Sequence, residues 1–394
     1  MATENSAFTQ EGRQAPSLAD AGTVAAVYNC DTRILRLLNV MEDIQVAKRI
    51  FVIADFKDEF PRSVRTQARM WVKGLIRLGH DVQRFAYRNI MTQLSPFPGK
   101  HFKRFSPGFV RRRADNILAE QLKLYHPHIV LLLSMKYITA ETVRTIRTAA
   151  PNAIVVGRDD DPFPERNPAR LAIAKETDIM ITTSSGKFLQ TYKDIGVPRC
   201  AFIPNACDPD LQYRYDVEEK WKTDIIFTGK AEHRRLGPDA GRNLDRYGLL
   251  HKLSEMPNAK MYGCFGNPRV EGIETFYAIS GAKIGLSINI ANDVRLYHSD
   301  RLANYISCGT FTLAKRVPDT DLLFKDGEHI KYFDTVDEFF ELADWYLKND
   351  REREKIATAG MQKAHNDFNC QKIAQYMLDL IETGSYNAPW AEIL

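Results

Sequence analysis

The chain has 394 residues, too many for one typical hydrophobic core, so we expect two domains. Its residues are 44% hydrophobic and 26% charged, as in a soluble globular protein, and a net charge of only +4 argues against nucleic acid as a partner, which requires a concentrated basic face. No apolar run approaches the roughly 20 residues that span a bilayer. The six cysteines show no C-x-x-C pair and no metal-ligand spacing, so we expect reduced thiols in a cytoplasmic protein.

Two features of the N-terminal region lie outside any expected core. Residues 1–22 are polar and lack the apolar segment of a secretory signal, so we predict a disordered tail. The basic run Arg111-Arg112-Arg113 begins a predicted helix. A solvated helix face is the favoured interpretation, and weak contact with an anionic membrane surface is the alternative.

The first half of the chain, residues 23–208, alternates strands and helices. A buried strand at 48–56, a helix at 63–78 and a strand at 81–87 form one right-handed βαβ unit. No G-x-G-x-x-G follows the first strand, so the fingerprint of a dinucleotide-binding domain is absent. Two prolines near residue 206 then favour a stiff crossing into a second domain.

Three successive carboxylates, Asp159, Asp160 and Asp161, follow a strand predicted at 154–157. Their mutual repulsion makes such a run costly unless partners are present. One interpretation is that a carboxylate binds an acceptor hydroxyl or acts as a base. The other is that nearby arginines, Arg158 and Arg170 among them, pair with the run for structural reasons, and both interpretations stay open.

The second half, residues 209–394, begins with a strand at 223–228 that ends in a glycine turn. Basic side chains follow this turn, and they are either phosphate ligands or simply solvated loop residues.

The stretch from His298 to Leu313 is predicted to be a polar loop, a helix, a glycine stop and a strand. Ser299 or Asp300 can cap the helix, and its N-terminus, with Arg301 beside it, is suited to bind an anion. On this stretch alone, a plain helix packed on a sheet is the better interpretation.

The same stretch and its continuation, residues 316–330, resemble the donor-domain signature of CgeB-like glycosyltransferases. These are relatives of the large retaining GT-B families, and the resemblance is strongest over the last third of the chain. It implies an α/β fold of the GT-B type, in which two Rossmann-like domains face each other across a cleft. Residues 23–208 would form the acceptor side, and residues 209–394 would bind the nucleotide sugar, with the last helix crossing back to the first domain.

The resemblance implies a hexosyltransferase-type glycosyltransferase that moves a sugar from a nucleotide-diphosphate sugar to a saccharide, protein or lipid-linked acceptor, with no metal and no other cofactor. The implied donor-binding residues are Gly229, Lys230, Arg234, Arg235, Ser299, Asp300, Arg301 and Asn304. Asp161, followed by a proline as in the family, is the implied catalytic residue. The Asp-x-Asp pattern at 159–161 lies in the acceptor half, so it is not interpreted as a metal site.

One departure from the family is Asn304, which stands where the family has a glutamate that holds the donor ribose. An amide still forms hydrogen bonds with a hydroxyl but brings no charge. Two other functions therefore stay open: a nucleotide-sugar epimerase or hydrolase on the same fold, and a catalytically silent nucleotide-sugar-binding protein.

Overall fold

A computed structural model describes residues 46–56, 67–95, 107–231 and 244–394. Within it, the chain from Lys48 to Leu394 forms one compact unit. The predicted N-terminal tail and two of the predicted donor-binding residues, Arg234 and Arg235, lie outside the described residues.

The first half contains a parallel sheet flanked by helices. Its strands are β1 (Arg49–Ile53), β2 (Asp81–Phe85), β3 (Ile129–Leu132), β4 (Ile154–Asp159), β5 (Ile179–Thr182) and β6 (Arg199–Phe202). Its helices are α1 (Gln67–Arg77), α2 (Tyr87–Leu94), α3 (Pro107–Tyr125), α4 (Ala140–Ala149), α5 (Pro168–Ala174) and α6 (Lys187–Asp194). The strand order is β2-β1-β3-β4-β5-β6, and β3 and β5 are buried along their whole length because helices cover both faces.

The second half repeats this plan with a second, separate parallel sheet. Its strands are β7 (Thr223–Thr228), β8 (Ala259–Tyr262), β9 (Ala282–Ser287), β10 (Phe311–Lys315) and β11 (Lys331–Phe333), in the order β11-β10-β9-β7-β8. Its helices are α7 (Leu244–Ser254), α8 (Ile273–Ser280), α9 (Asp300–Ser307), α10 (Val336–Lys348), α11 (Asp350–Asp367) and α12 (Cys370–Thr383). In both sheets the strand order reverses next to the first strand of the half, which is where α/β proteins form ligand sites.

After the second sheet, the chain returns to the first. Helix α12 packs so closely on α1 that a Cβ at Gly74 would lie 2.1 Å from the carbonyl oxygen of Cys370. The segment that follows pairs with the edge strand β6, where Cys200 and Leu394 exchange backbone hydrogen bonds of 2.9 and 2.8 Å. Elements from both ends of the described chain therefore share one hydrophobic core.

The C-terminal segment also connects the loops that follow β5 and β9. One oxygen of the Glu392 carboxylate accepts a hydrogen bond of 2.8 Å from the N–H of Gly186, and the other pairs with Arg295. The backbone carbonyl oxygen of Arg295 in turn accepts a hydrogen bond of 3.0 Å from the N–H of Ser185. A carboxylate at the start of α6 is also favoured by the helix dipole. In the part of the chain that the structure describes, no helix is both long and apolar enough to cross a membrane.

Candidate functional site

The N-terminus of α9 forms one wall of the candidate site. Ser299 occupies the N-cap position with an extended backbone, but its side chain does not cap the helix, so the predicted capping is not formed. Its N–H instead donates to Asn289 Oδ1 at 3.3 Å, which orients the loop entering the helix. The first-turn N–H groups of α9 are therefore left without a side-chain cap.

A cavity of about 250 Å³ lies between this helix, the end of β7 and the end of β8. It is lined by Thr228, Gly229, Tyr262, Arg269, Val270, Thr275, Asp300, Arg301 and Asn304. We call it the donor cavity below. The structure thus brings together four of the predicted donor-binding residues: Gly229, Asp300, Arg301 and Asn304. Two other predicted residues are described but do not line the cavity. Ser299 Oγ accepts a hydrogen bond of 3.4 Å from Arg301 Nη2, and Lys230 is exposed.

Gly229 lets the backbone pass very close to Arg301. Its φ of 144° falls where side chains are disfavoured, and a Cβ at this position would meet Arg301 Nη1 at 3.0 Å and the Phe227 ring at 3.5 Å. The turn after β7 therefore lies directly against the guanidinium group.

Among the described residues, Arg301 contacts only neutral groups. Nη1 donates to the carbonyl oxygen of Thr228 at 3.1 Å, Nη2 donates to that of Ile288 at 2.8 Å, and the guanidinium stacks 4.5 Å from the Phe227 ring centroid. Nε is buried and has no hydrogen-bond partner among the described residues. Burial lowers the pKa of Arg301, yet a guanidinium stays protonated in proteins, so the positive charge persists.

A second buried arginine, Arg246 on α7, lies beside Arg301 and was not predicted from the sequence. It donates to the carbonyl oxygens of Ala231 and Lys230, each at 2.6 Å, and to that of Ile288 at 3.4 Å. Burial, together with the charge of Arg301, lowers the pKa of Arg246 to about 10. A sequence signal was present, because Arg246 shares the helical face of Leu249, Leu250 and Leu253, all completely buried.

Arg269 adds a third, exposed cation to the cavity, also missed by the sequence analysis. Its side chain follows the turn at Gly263, where a Cβ would lie 3.0 Å from Arg269 Cγ. Across residues 46–56, 67–95, 107–231 and 244–394, none of these three arginines is ion-paired with a carboxylate. Asp300 is the one acidic residue in the described lining.

Tyr305 fixes α9 across the sheet. Its hydroxyl accepts the backbone N–H of Thr228 at 2.8 Å and lies 3.1 Å from the hydroxyl of the same residue. The ring passes over Gly285 of β9, where a Cβ would lie 2.5 Å from the ring. This packing sets the distance between the helix N-terminus and the turn at Gly229.

Asn304 lies one turn after Arg301, so the two share a helical face, and both line the donor cavity. Its side chain is 5% exposed, and Oδ1 accepts a hydrogen bond of 2.6 Å from Gln212 Nε2. Gln212 belongs to the segment that connects the two sheets, so this segment contacts a residue that lines the cavity.

The acidic run at 159–161 lies at the carboxyl end of β4, on a second cavity of about 530 Å³. Buried Asp159 pairs with Arg170 at 2.9 Å and with the Tyr192 hydroxyl, whereas Asp161 is 75% exposed and pairs with Arg170 at 3.1 Å. Asp160 pairs with Arg158 at 2.7 Å. The structural interpretation of the run, pairing with Arg158 and Arg170, is therefore correct, and it leaves the functional interpretation possible.

Asp160 lines the second cavity, and its side chain is 36% exposed. Burial raises its pKa to about 7, the carboxylates of Asp300, Asp159 and Asp161 add to this rise, and Arg158 opposes it. Arg158 at the end of β4 donates to Asn205 Oδ1 at 2.9 Å, and Asn205 Nδ2 donates to the carbonyl oxygen of His298 at 3.4 Å, so the loop before α9 lies near the end of β4. Within the described ranges, no three His, Cys, Asp or Glu side chains are grouped as metal ligands would be.

Comparisons with known proteins agree with this architecture. A family model described as "Glycosyl transferase-like" matches residues 246–379. No curated protein matches the chain.

Three solved structures are similar over most of their length. Anabaena HepE in complex with UDP and glucose is 11% identical, with a TM-score of 0.55, and the match covers 85% of this chain and 100% of HepE. Sucrose-phosphate synthase from Thermosynechococcus elongatus is 13% identical, with a TM-score of 0.58 and coverages of 85% and 98%. A glycosyltransferase from Rickettsia africae is 12% identical, with a TM-score of 0.51 and coverages of 86% and 98%. The predicted fold class is confirmed: the chain has the α/β architecture of GT-B glycosyltransferases, and its second half carries a match to a glycosyltransferase-like family.

Proposed function

We propose that this protein is a glycosyltransferase whose donor is a nucleotide-diphosphate sugar, and that the diphosphate binds in the donor cavity. The observation that carries the proposal is the pair of buried arginines, Arg246 and Arg301, whose partners among the described residues are carbonyl oxygens and one hydroxyl, with no carboxylate. Burying a charge without a counterion costs several kcal/mol. An anionic ligand would offset that cost, because the charge, the helix N-terminus and the glycine turn all converge on the same space.

The arrangement suits the chemistry of sugar transfer. When the bond to the anomeric carbon breaks, negative charge develops on the leaving diphosphate, and preorganised cations in a cleft stabilise that charge. Arg301 would act through its fixed charge and its free Nε, and Arg269 would reach the diphosphate from the open side. Gly229 allows the backbone to approach the phosphates closely.

A carboxylate across the cleft would then activate the acceptor hydroxyl. The resemblance to the family selects Asp161. We favour Asp160, because it lines the second cavity and its raised pKa of about 7 suits a general base at neutral pH. Asp161 is more exposed and paired with Arg170. Comparing Asp160→Asn with Asp161→Asn decides between the two.

The likeness to HepE, a protein crystallised with UDP and glucose, makes UDP the first nucleotide to test. We further propose that the protein is a CgeB-like hexosyltransferase that works without a metal in the cytoplasm. Its acceptor would be a saccharide, a protein or a lipid-linked sugar. The remaining donor-binding candidates, Lys230, Arg234, Arg235 and Ser299, also stay proposals.

The test is a thermal-shift panel of nucleoside diphosphates and nucleotide sugars, with and without a metal chelator. A ligand at about 100 times its Kd should stabilise the fold by about 2.7 kcal/mol. We expect at least one nucleoside diphosphate to raise Tm with the chelator present, and no response to any would refute the donor cavity. Release of free sugar or an epimer without acceptor would indicate the hydrolase or epimerase alternative, and binding without turnover on any acceptor would indicate a silent binding protein.

A further inference from the structure

We infer that Asn304 presents a hydrogen-bond donor, not an acceptor, to the donor cavity, and that Gln212 is the positioning residue that fixes this polarity. The identity of the ligand rests on the proposed function. The polarity itself is a property of the ligand-free protein.

A backbone N–H fixes the direction of the first hydrogen bond in this chain of contacts. The backbone N–H of Asp208 can only donate, and it points at the side-chain amide of Gln212 over 2.7 Å. The atom of Gln212 that receives it must be the oxygen, because an amide nitrogen carries two hydrogens and does not accept. The nitrogen of Gln212 is therefore at the other end of the amide, where it faces Asn304 at 2.6 Å.

The same rule then determines Asn304. Since Gln212 Nε2 donates, the atom of Asn304 that receives it must be Oδ1. Asn304 Nδ2 is the remaining end, on a residue that lines the donor cavity. No described residue accepts a hydrogen bond from this nitrogen, so its hydrogens are available to a ligand.

Gln212 is too well held to turn over. It is completely buried, its own N–H donates to the carbonyl oxygen of Asp208 at 2.7 Å, and its carbonyl oxygen contacts His365 Nε2 at 2.7 Å. The same nitrogen of His365 lies 2.9 Å from the carbonyl oxygen of Ser307, so it is the protonated one. Reversing the Gln212 amide would place two N–H groups against each other in a buried position, which is strongly unfavourable.

This polarity defines what the ligand must offer. The ligand group that meets Asn304 Nδ2 must accept a hydrogen bond: a hydroxyl used through its lone pair, or a carbonyl, carboxylate or phosphate oxygen. A glutamate at this position, as in the family that the chain resembles, would do the opposite and accept from a hydroxyl. The amide at 304 is thus a reversal of hydrogen-bond polarity as well as a loss of charge.

The experiment is 15N NMR of the side-chain amides in the full-length protein, with the Asn304 signals assigned by their disappearance in Asn304→Asp. In the ligand-free wild type we expect both Asn304 Nδ2 hydrogens to exchange quickly with water, because no described residue accepts them and Asn304 lines the donor cavity. One Gln212 Nε2 hydrogen should exchange slowly, because it is bonded inside the core. A slowly exchanging Asn304 hydrogen in the wild type would overturn the inference.

Gln212→Glu supplies the matched perturbation. It keeps the side-chain length and still accepts the Asp208 N–H, but it cannot donate to Asn304, so the Asn304 amide should turn and one Nδ2 hydrogen should become protected by about tenfold or more. A folded Gln212→Glu protein with unchanged Asn304 exchange would refute the role of Gln212. If this variant does not fold, Gln212→Met removes both hydrogen bonds at similar volume and should broaden the Asn304 signals, and sharp unchanged signals would refute the role equally.

Titration with UDP, GDP and ADP tests the identity of the ligand independently of the polarity of the Asn304 amide. Binding should shift the Asn304 Nδ2 hydrogens, and a diphosphate that binds without shifting them would remove Asn304 from the ligand surface. Failure of all three to bind would count against the proposed function, while the exchange measurements would still decide the polarity.

Discussion

Arg301→Met is the substitution that most directly tests the anion-binding role of the donor cavity. It replaces the guanidinium with an uncharged side chain of comparable length. Two hydrogen bonds to the carbonyl oxygens of Thr228 and Ile288 are lost, together with the stacking on Phe227. The uncompensated buried charge is removed as well.

Losing the hydrogen bonds lowers the free energy of unfolding, whereas removing the buried charge raises it. Both changes weaken the binding of a diphosphate. Hydrogen bonds from a charged donor contribute about 1.5–3 kcal/mol each, whereas burial of an unpaired charge costs several kcal/mol, so the free energy of unfolding should change by no more than about 2 kcal/mol. A bound diphosphate would lose its charged neighbour, which should weaken binding by about 1.5–3 kcal/mol, or roughly 10- to 150-fold in Kd.

The assay is isothermal titration with the tightest-binding nucleoside diphosphate, alongside urea unfolding. Arg147→Met is the matched control, because Arg147 also donates to a carbonyl, that of Glu176 at 2.9 Å, but pairs with Asp178 at 2.8 Å and lines neither cavity. The control should lose stability and keep its affinity. The reasoning is refuted if Arg301→Met binds the diphosphate within twofold of wild type.

Four further predictions concern Asp160, Asn304 and Glu392. Because Asp160 would work as a base in its deprotonated form, kcat/KM should rise with pH through about 7 and then level off in a pH–rate profile. Asp160→Asn should lower kcat/KM by about 10²–10⁴-fold, whereas Asp161→Asn should not. The folded-state pKa of Asp160 lies above its ordinary value of 3.8, so its contribution to the free energy of unfolding is complete below about pH 4 and lost by about pH 7. Urea unfolding should therefore show wild type losing stability relative to Asp160→Asn between these pH values. A constant difference between the two proteins would contradict the raised pKa. Asn304→Leu should weaken donor binding by about 1–3 kcal/mol in titration calorimetry while the protein stays folded, and unchanged affinity would place Asn304 outside the ligand site. Glu392→Ala should lower the free energy of unfolding by about 1–3 kcal/mol because Gly186 and Arg295 lose their shared partner, and urea unfolding with no change would show that this contact contributes nothing.

Local sequence signals were sufficient for the fold and for the start of α9. Alternating strands and helices in two successive runs predicted two parallel sheets. The helix after His298 was visible because its signals are close in the chain: a polar loop, three apolar positions on one face, and Gly309, which ends the helix with a φ of 67°. Gly229 and Arg301 were assigned to one site through the resemblance to the family, and both line the donor cavity.

The rest depended on contacts between residues far apart in sequence. The hydrogen bond between Gln212 and Asn304 joins residues 92 positions apart, and nothing in the Leu-Gln-Tyr tripeptide around Gln212 indicates a buried amide. Arg246 becomes part of the site only because its helix packs that face inward. The choice between Asp160 and Asp161 is set by the irregular turn after β4, where Phe163 has a φ of 60° and which no periodic pattern describes.

The close packing of Tyr305 on Gly285 limits how this chain can diverge in evolution. A Cβ at position 285 would lie 2.5 Å from the ring, so the glycine cannot change while the tyrosine stays. A smaller residue at 305 would tolerate alanine at 285, but it would release the N–H of Thr228, which the tyrosine hydroxyl accepts. We therefore expect the two positions to be replaced together among homologous sequences, with a compensating acceptor for Thr228. Since β9 and α9 are separate elements, such paired replacement would identify homologues that keep this helix-to-turn spacing even where their overall identity is low.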